Sequence, residues 1–147
     1  MEIKRDKYLE MLQIRRHNGF IKVITGIRRC GKSYLMNDIF YEKLRQEGVD
    51  ESHIIKFAFD SAEDLLLIGE DLQDLFINKK KVDPKKFMTF ISQRMIDNDM
   101  YYLLLDEVQN LGCFEAVLNG YLRKKNMDVY VTGSNSKFLS SDVLTEF

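Results

Sequence analysis

The run Gly26-Ile27-Arg28-Arg29-Cys30-Gly31-Lys32-Ser33 sets two glycines, a lysine and a serine at the spacing G-x-x-x-x-G-K-S. This spacing suits a loop that wraps closely around phosphate groups, because glycines let successive backbone N–H groups turn inward where a Cβ would obstruct them. Lys32 would set its ammonium against the β- and γ-phosphate oxygens, and the Ser33 hydroxyl would complete the shell of a magnesium ion. A helix opening at Tyr34 would add its positive N-terminal end. Gly26 to Tyr34 are therefore the expected nucleotide-binding residues.

The second chemical feature is Leu103-Leu104-Leu105-Asp106-Glu107, an apolar run that ends in two carboxylates. Asp106 would hold magnesium, mostly through a bound water, and Glu107 would act as general base on the water that displaces the γ-phosphate in line. The run VYVTGSN supplies a third element, in which Thr132, Ser134 or Asn135 follows an apolar stretch and could sense the γ-phosphate. Lys32, Glu107 and Asn135 are the expected catalytic residues; Ser33 and Asp106 are the expected metal ligands.

Other residues carry weaker signals. Arg28 and Arg29 could reach phosphate or a neighbouring subunit, although variable loop positions usually face solvent. Cys30, beside Lys32 and a helix start, has surroundings that lower a thiol pKa, so its oxidation could block nucleotide binding. Gln109 and Asn110 follow the acids and stay unassigned, a polar turn explaining them equally well. His17 and His53 have no metal-ligand spacing and receive no catalytic role.

These residues need elements to hold them. FIKVIT, largely apolar and β-branched, reads as a buried parallel strand that runs into the glycine loop. Leu35, Met36, Ile39, Phe40 and Leu44 then recur at helical spacing, with Gly48 as the stop. HIIKFAFD is a second strand, and Ser61 with Asp64 resembles a capping box. Gly69 divides the next region into two short helices. Asp83-Pro84 reads as an N-cap followed by proline at the first helical position, with Phe87, Ile91 and Met95 along one face, and Lys79-Lys80-Lys81 before it as a solvated loop. YYLLLDE is a third strand. Phe114, Val117, Leu118, Tyr121 and Leu122 mark a helix, and MDVYVTGSN is a fourth strand. Ahead of all these, residues 5–16 have the pattern of an amphipathic helix. Strands alternating with helices predict an α/β fold with a parallel sheet covered on both faces.

Bulk properties narrow the function classes. At 147 residues and 45% hydrophobic content, the chain suits one domain with a real core. Twenty-two basic against 23 acidic residues leave a net charge of -1, so nothing global points to nucleic acid or a membrane as partner. Two cysteines, Cys30 and Cys113, are too few for a disulfide framework and suit a reducing cytoplasm. The charged N-terminus has no apolar h-region and no stretch approaches a membrane span, so the expected location is cytoplasmic.

ITGIRRCGKS, YYLLLDEVQN and the run from Val117 to Glu146 resemble the AAA-type ATPases of bacteria and archaea that carry a DUF4143 C-terminal region. The resemblance covers nearly the whole chain. It implies a three-layer P-loop NTPase core of AAA type with sheet order 5-1-4-3-2, Lys32 as the Walker A lysine, Asp106 and Glu107 as the Walker B acids, Asn135 as sensor with Ser134 as second choice, and ATP as the nucleotide. In that family the chain continues with a glycine-arginine element, another strand, a helical lid and further domains. The expectation is therefore that residues 1–147 form one ATPase domain truncated at its C-terminal side, without fifth strand, lid or arginine finger, leaving FIKVIT as a bare edge.

Two functions compete. One is magnesium-dependent ATP hydrolysis that drives or regulates a C-terminal module. The other is a slow-turnover switch whose nucleotide state controls a partner domain or a homo-oligomer. Nucleic-acid remodelling is weaker, since no basic stripe interleaved with aromatics is present.

Overall fold

The computed structural model describes residues 10, 16, 21–25, 33–133 and 142–146, the last five and Thr25 by backbone alone. Apart from Glu10 and Arg16, the expected helix over residues 5–16 lies outside them, as do the loop residues 26–32.

Five strands, β1 (Lys22–Thr25), β2 (Ile54–Ala58), β3 (Tyr101–Asp106), β4 (Met127–Gly133) and β5 (Asp142–Glu146), form one sheet in the order β2-β3-β4-β1-β5. Every neighbouring pair is parallel. Read from the other edge, this is the expected 5-1-4-3-2. The expectation of a missing fifth strand is corrected: Asp142–Glu146 pairs with β1, Lys22 opposite Asp142 and Thr25 opposite Glu146, with a register shift between Val23 and Ile24. β1 is thus interior, flanked by β4 and β5, and the bare edge argued for it is filled by five residues of the same chain. An apolar strand gains these backbone hydrogen bonds instead of leaving them to another molecule.

Strand alternation sorts the side chains onto two faces. On one face Ile24, Ile54, Tyr102, Leu104 and Tyr130 pack with Leu35, Met36, Phe40 and Leu44. These last four come from a π-helical stretch (Leu35–Phe40) that runs on into helix α1 (Tyr41–Gln46). Their spacing is the predicted one, and Gly48, at φ 95°, ends the helix with its N–H on the Arg45 carbonyl. On the other face Val23, Ile55, Phe57, Leu103, Leu105, Val129 and Val131 meet Leu65, Phe87, Ile91, Val117, Leu118 and Tyr121. This layer contains α2 (Ala62–Leu67), α3 (Pro84–Arg94) and α4 (Phe114–Leu122). Phe87 and Ile91 are fully buried, each contributing about 1.5–3 kcal/mol by leaving water. β3 is buried at all six positions, as its unbroken apolar run requires.

Local chemistry sets the boundaries. The Asp83 carboxylate accepts from the Lys85 N–H at 2.9 Å and Pro84 opens α3. Ser61 caps α2 by accepting from the Asp64 N–H at 3.3 Å, but the predicted reciprocal bond is absent: the Asp64 carboxylate accepts from the Ala58 N–H at 2.9 Å. Asp64 thus ties its helix to the end of edge strand β2. Gly69, at φ 87°, separates α2 from a π-helical turn (Gln73–Ile77), as its position predicts. Among the described residues no helix is long and apolar enough to cross a membrane.

Candidate functional site

The alternation that builds the core also brings the polar residues together. β3 and β4 run side by side with Leu105 opposite Val131, so the next positions, Asp106 and Thr132, fall on the same face at the C-terminal end of the sheet. That face is covered by the helix that begins after the glycine loop, and Ser33 stands at its start. The Ser33 hydroxyl donates to Asp106 Oδ2 at 2.8 Å. The Thr132 hydroxyl donates to Asp106 Oδ1. Both oxygens of Asp106 are therefore engaged, by residues 73 and 26 positions away in the chain.

Glu107 lies just past the strand and leaves it abruptly. Its backbone is left-handed, at φ 56° and ψ 51°, which ends β3 and starts a short 3-10 turn over Val108–Asn110. Its N–H donates to the same Thr132 hydroxyl oxygen at 3.0 Å. Its Oε1 accepts from Gln109 Nε2 at 2.6 Å. Asp106 and Glu107 are each only 7% exposed and Thr132 is fully buried. Two adjacent carboxylates in such a position need donors, and Ser33, Thr132 and Gln109 supply them.

Several sequence-predicted residues are brought together and others lie beyond view. Ser33, Asp106 and Glu107 converge at one end of the sheet. Tyr34 is 44% exposed and follows Ser33 on the helix. Gly26, Ile27, Arg28, Arg29, Cys30, Gly31, Lys32, Ser134 and Asn135 lie outside the described residues, although the ends of β1 at Thr25 and β4 at Gly133 fix where those segments leave the sheet. Thr25 and Gly133, the last described residues ahead of those segments, are direct partners across β1 and β4. Thr132 was grouped with possible phosphate sensors; its hydroxyl instead joins the two acids. The signal for that role was a hydroxyl in an otherwise apolar strand, VYVT, one position past the last apolar side chain. Gln109, unassigned from sequence, contacts Glu107 directly.

An implied magnesium ion can be tested against this donor set. Hard divalent cations take oxygen ligands, and the Ser33 hydroxyl and Asp106 carboxylate already lie within hydrogen-bond distance of each other at the mouth of the site. The residues fit. A groove of about 580 Å³ along the β2 edge, lined by Ile54, Ile55, Leu67, Phe90 and Arg94 among others, contains none of this cluster.

At the opposite end of the strands lies a second polar group, wholly buried. Lys22 Nζ donates to Asp128 Oδ1, and the Tyr130 hydroxyl donates to Asp128 Oδ2 at 2.7 Å. Lys22 also stands over the Tyr130 ring, 4.8 Å from its centroid. Burial first, and then the neighbouring Asp128 charge, push the Tyr130 phenol far above its usual range, so it stays a donor. Arg16 reaches the Tyr102 hydroxyl at 3.1 Å and pairs with Glu47.

Comparison with known proteins bears on the family and the fold. An uncharacterized protein of Haemophilus influenzae is 31% identical over 144 residues, covering 97% of this chain and 32% of its own length. An uncharacterized protein of Methanocaldococcus jannaschii is 25% identical over 129 residues, covering 85% of this chain and 23% of its own. The chain thus spans a third or less of these relatives. Among solved structures, C. elegans PCH-2 superposes with a TM-score of 0.53 at 15% identity, over 92% of this chain and 37% of that one. Drosophila ORC, in a structure bound to AT-rich DNA and Cdc6, gives a TM-score of 0.50 at 12% identity, over 90% of this chain and 47% of that one. At these identities the likeness concerns the fold alone. A family model described as AAA domain matches residues 18–147. With a parallel P-loop type sheet carrying a serine, an aspartate and a glutamate at one end, and with that match, the chain belongs to the AAA domain family of P-loop ATPases.

Proposed function

We propose that this chain binds ATP and magnesium at the C-terminal end of its sheet and that the full-length protein hydrolyses ATP to ADP and phosphate, driving or regulating a C-terminal module. The observation that carries the reading is the 2.8 Å contact of Ser33 with Asp106, next to Glu107, which joins the end of the glycine loop to the acid-bearing strand.

In this reading the backbone of residues 26–32 and the Lys32 ammonium hold the β- and γ-phosphates. Ser33 and Asp106 would hold the magnesium ion, which when bound neutralises phosphate charge. Glu107 accepts a proton from water as that water's oxygen bonds to the γ-phosphorus; the bond from phosphorus to the bridging oxygen breaks, and ADP leaves with the electron pair. Thr132 keeps Asp106 and the Glu107 backbone in fixed relation. Asn135, two residues past the end of β4 in sequence, would contact the γ-phosphate.

Binding of a fluorescent ATP analogue with and without magnesium, together with phosphate release, tests this. Lys32→Ala should abolish binding, whereas Glu107→Gln should keep binding and lose at least a hundredfold in turnover, the usual worth of a general base. Turnover unchanged in Glu107→Gln would refute hydrolysis at this site and leave a nucleotide-dependent switch.

A further inference from the structure

We infer that Gln109 is a positioning residue for Glu107: its carboxamide holds one oxygen of that carboxylate and leaves the other to face water. The inference rests on the hydrolytic reading above and adds a residue to it.

Glu107 has the wrong backbone for an ordered side chain. It leaves the strand at φ 56°, so its side chain is not aimed by the regular strand alternation or by a helical turn and needs a partner to set its direction. A general base must lie within hydrogen-bond reach of one water and keep that aim. Gln109 Nε2 meets Glu107 Oε1 at 2.6 Å, and this side-chain bond closes a small ring across the 3-10 turn. The donor is neutral, so it orients the carboxylate without neutralising it.

Gln109 is itself fixed. Its neighbours Val108 and Leu111 are buried to 1% exposure or less and anchor the turn in the core. Its carbonyl accepts from Lys81 Nζ at 3.0 Å. The Asn110 N–H donates to the Glu107 carbonyl at 3.1 Å, and the Asn110 carbonyl accepts from the Val82 N–H at 2.9 Å. The Gly112 N–H donates to the Val82 carbonyl at 2.8 Å, and a Cβ on Gly112 would stand 3.0 Å from that same oxygen. The turn is therefore bound on both sides to the segment ahead of α3. A donor mounted on so fixed a backbone can hold the carboxylate in one orientation; one on a free loop could not.

The contact can be read without turnover. In side-chain amide NMR spectra of the nucleotide-free chain, one Gln109 Nε2 proton should be displaced downfield and return to the ordinary range in Glu107→Ala. An unmoved signal overturns the inference, whatever the fate of other variants. In steady-state assays Gln109→Met, similar in length but without a donor, should lose about tenfold in kcat with KM and ATP-analogue affinity within twofold of wild type, a fraction of a general base's worth. Gln109→Glu should lose at least as much. Wild-type kcat in Gln109→Met beside an inactive Glu107→Gln overturns this inference alone. Equal losses in affinity and kcat would mark a merely structural role and also overturn it. Turnover surviving in Glu107→Gln overturns the hydrolytic reading, and this inference with it.

Discussion

One face of β4 carries Asp128, Tyr130 and Thr132 in succession, and the two ends of that short row do opposite things. At the N-terminal end Asp128 is enclosed with Lys22 and Tyr130, all at 2% exposure or less. At the C-terminal end Thr132 is just as buried, but the carboxylates it serves sit at the end of the sheet where Ser33 meets it. Both groups satisfy an aspartate with two donors. A lysine and a phenol closed off from water make a structural pair, whereas two hydroxyls at a strand end leave an acid that a cation can claim. Location along the strand, more than residue type, separates structure from chemistry.

The closed end is the more sensitive of the two. Lys22→Met leaves Asp128 buried without its cation and should cost about 3–5 kcal/mol in urea unfolding, while Lys22→Met with Asp128→Leu should recover most of that loss. A single variant as stable as wild type would show that water reaches the pair. At the open end Thr132→Val keeps the shape but removes a donor to Asp106 and an acceptor for the Glu107 N–H. It should cost about 1–3 kcal/mol in stability and weaken magnesium-dependent nucleotide binding, both measurable on one preparation. Ser33→Ala sharpens the contrast, because its half-buried hydroxyl can be replaced by water. Stability should change by less than about 1 kcal/mol, yet analogue affinity should fall only when magnesium is present. If both variants lost stability alone, the open end would be structural too.

The smallest effect belongs to an exposed ion pair at the closed end's rim. His53 Nε2 lies 3.1 Å from Asp97 Oδ2 and 3.7 Å from Asp99 Oδ2, with its ring against Tyr101. Desolvation, the largest single influence, raises the Asp97 pKa, but the Asp99 N–H, His53 and Tyr101 together outweigh it and hold the carboxyl below its ordinary value of 3.8. A depressed folded value means the stabilisation is complete above pH 3.8 and disappears as pH falls through the folded pKa. Asp97→Asn should therefore unfold at a slightly lower temperature than wild type near pH 6, and the two melting temperatures should converge as pH falls through the folded pKa. Melting temperatures that stay equally far apart down to the most acid pH at which the protein folds would mean the pair acts through packing. Solvent screening keeps the effect small.

Much of this was legible in the residues themselves. The apolar runs of β1, β3 and β4, the caps at Ser61 and Asp83 and the stop at Gly48 all follow from local patterns, and Ser33 and Asp106, singled out by two separate motifs, lie 2.8 Å apart. What escaped was tertiary. Asp142-Val-Leu-Thr-Glu146 has only two apolar residues between polar ends and becomes a strand through its pairing with β1. Asp64 satisfies a capping pattern on paper, but the end of β2 passes close enough to take its carboxylate. Gln109 looked like any polar turn residue, because nothing local states that the preceding Glu would adopt a left-handed backbone and turn toward it.

That backbone has company. Lys79, Glu107 and Cys113 are the non-glycine residues with positive φ among those described, and all three belong to the corner where the segment before α3 is laced to the turn after β3. Each departs from what an L-residue prefers by about 1–2 kcal/mol. Glycine at Lys79 or Cys113 would relieve that tension without touching the acids, so those two positions are ready targets for anyone seeking a hardier protein. At Glu107 the same exchange would remove the proposed general base along with the tension. On the proposed mechanism, endurance and activity come into direct conflict there, at a single residue.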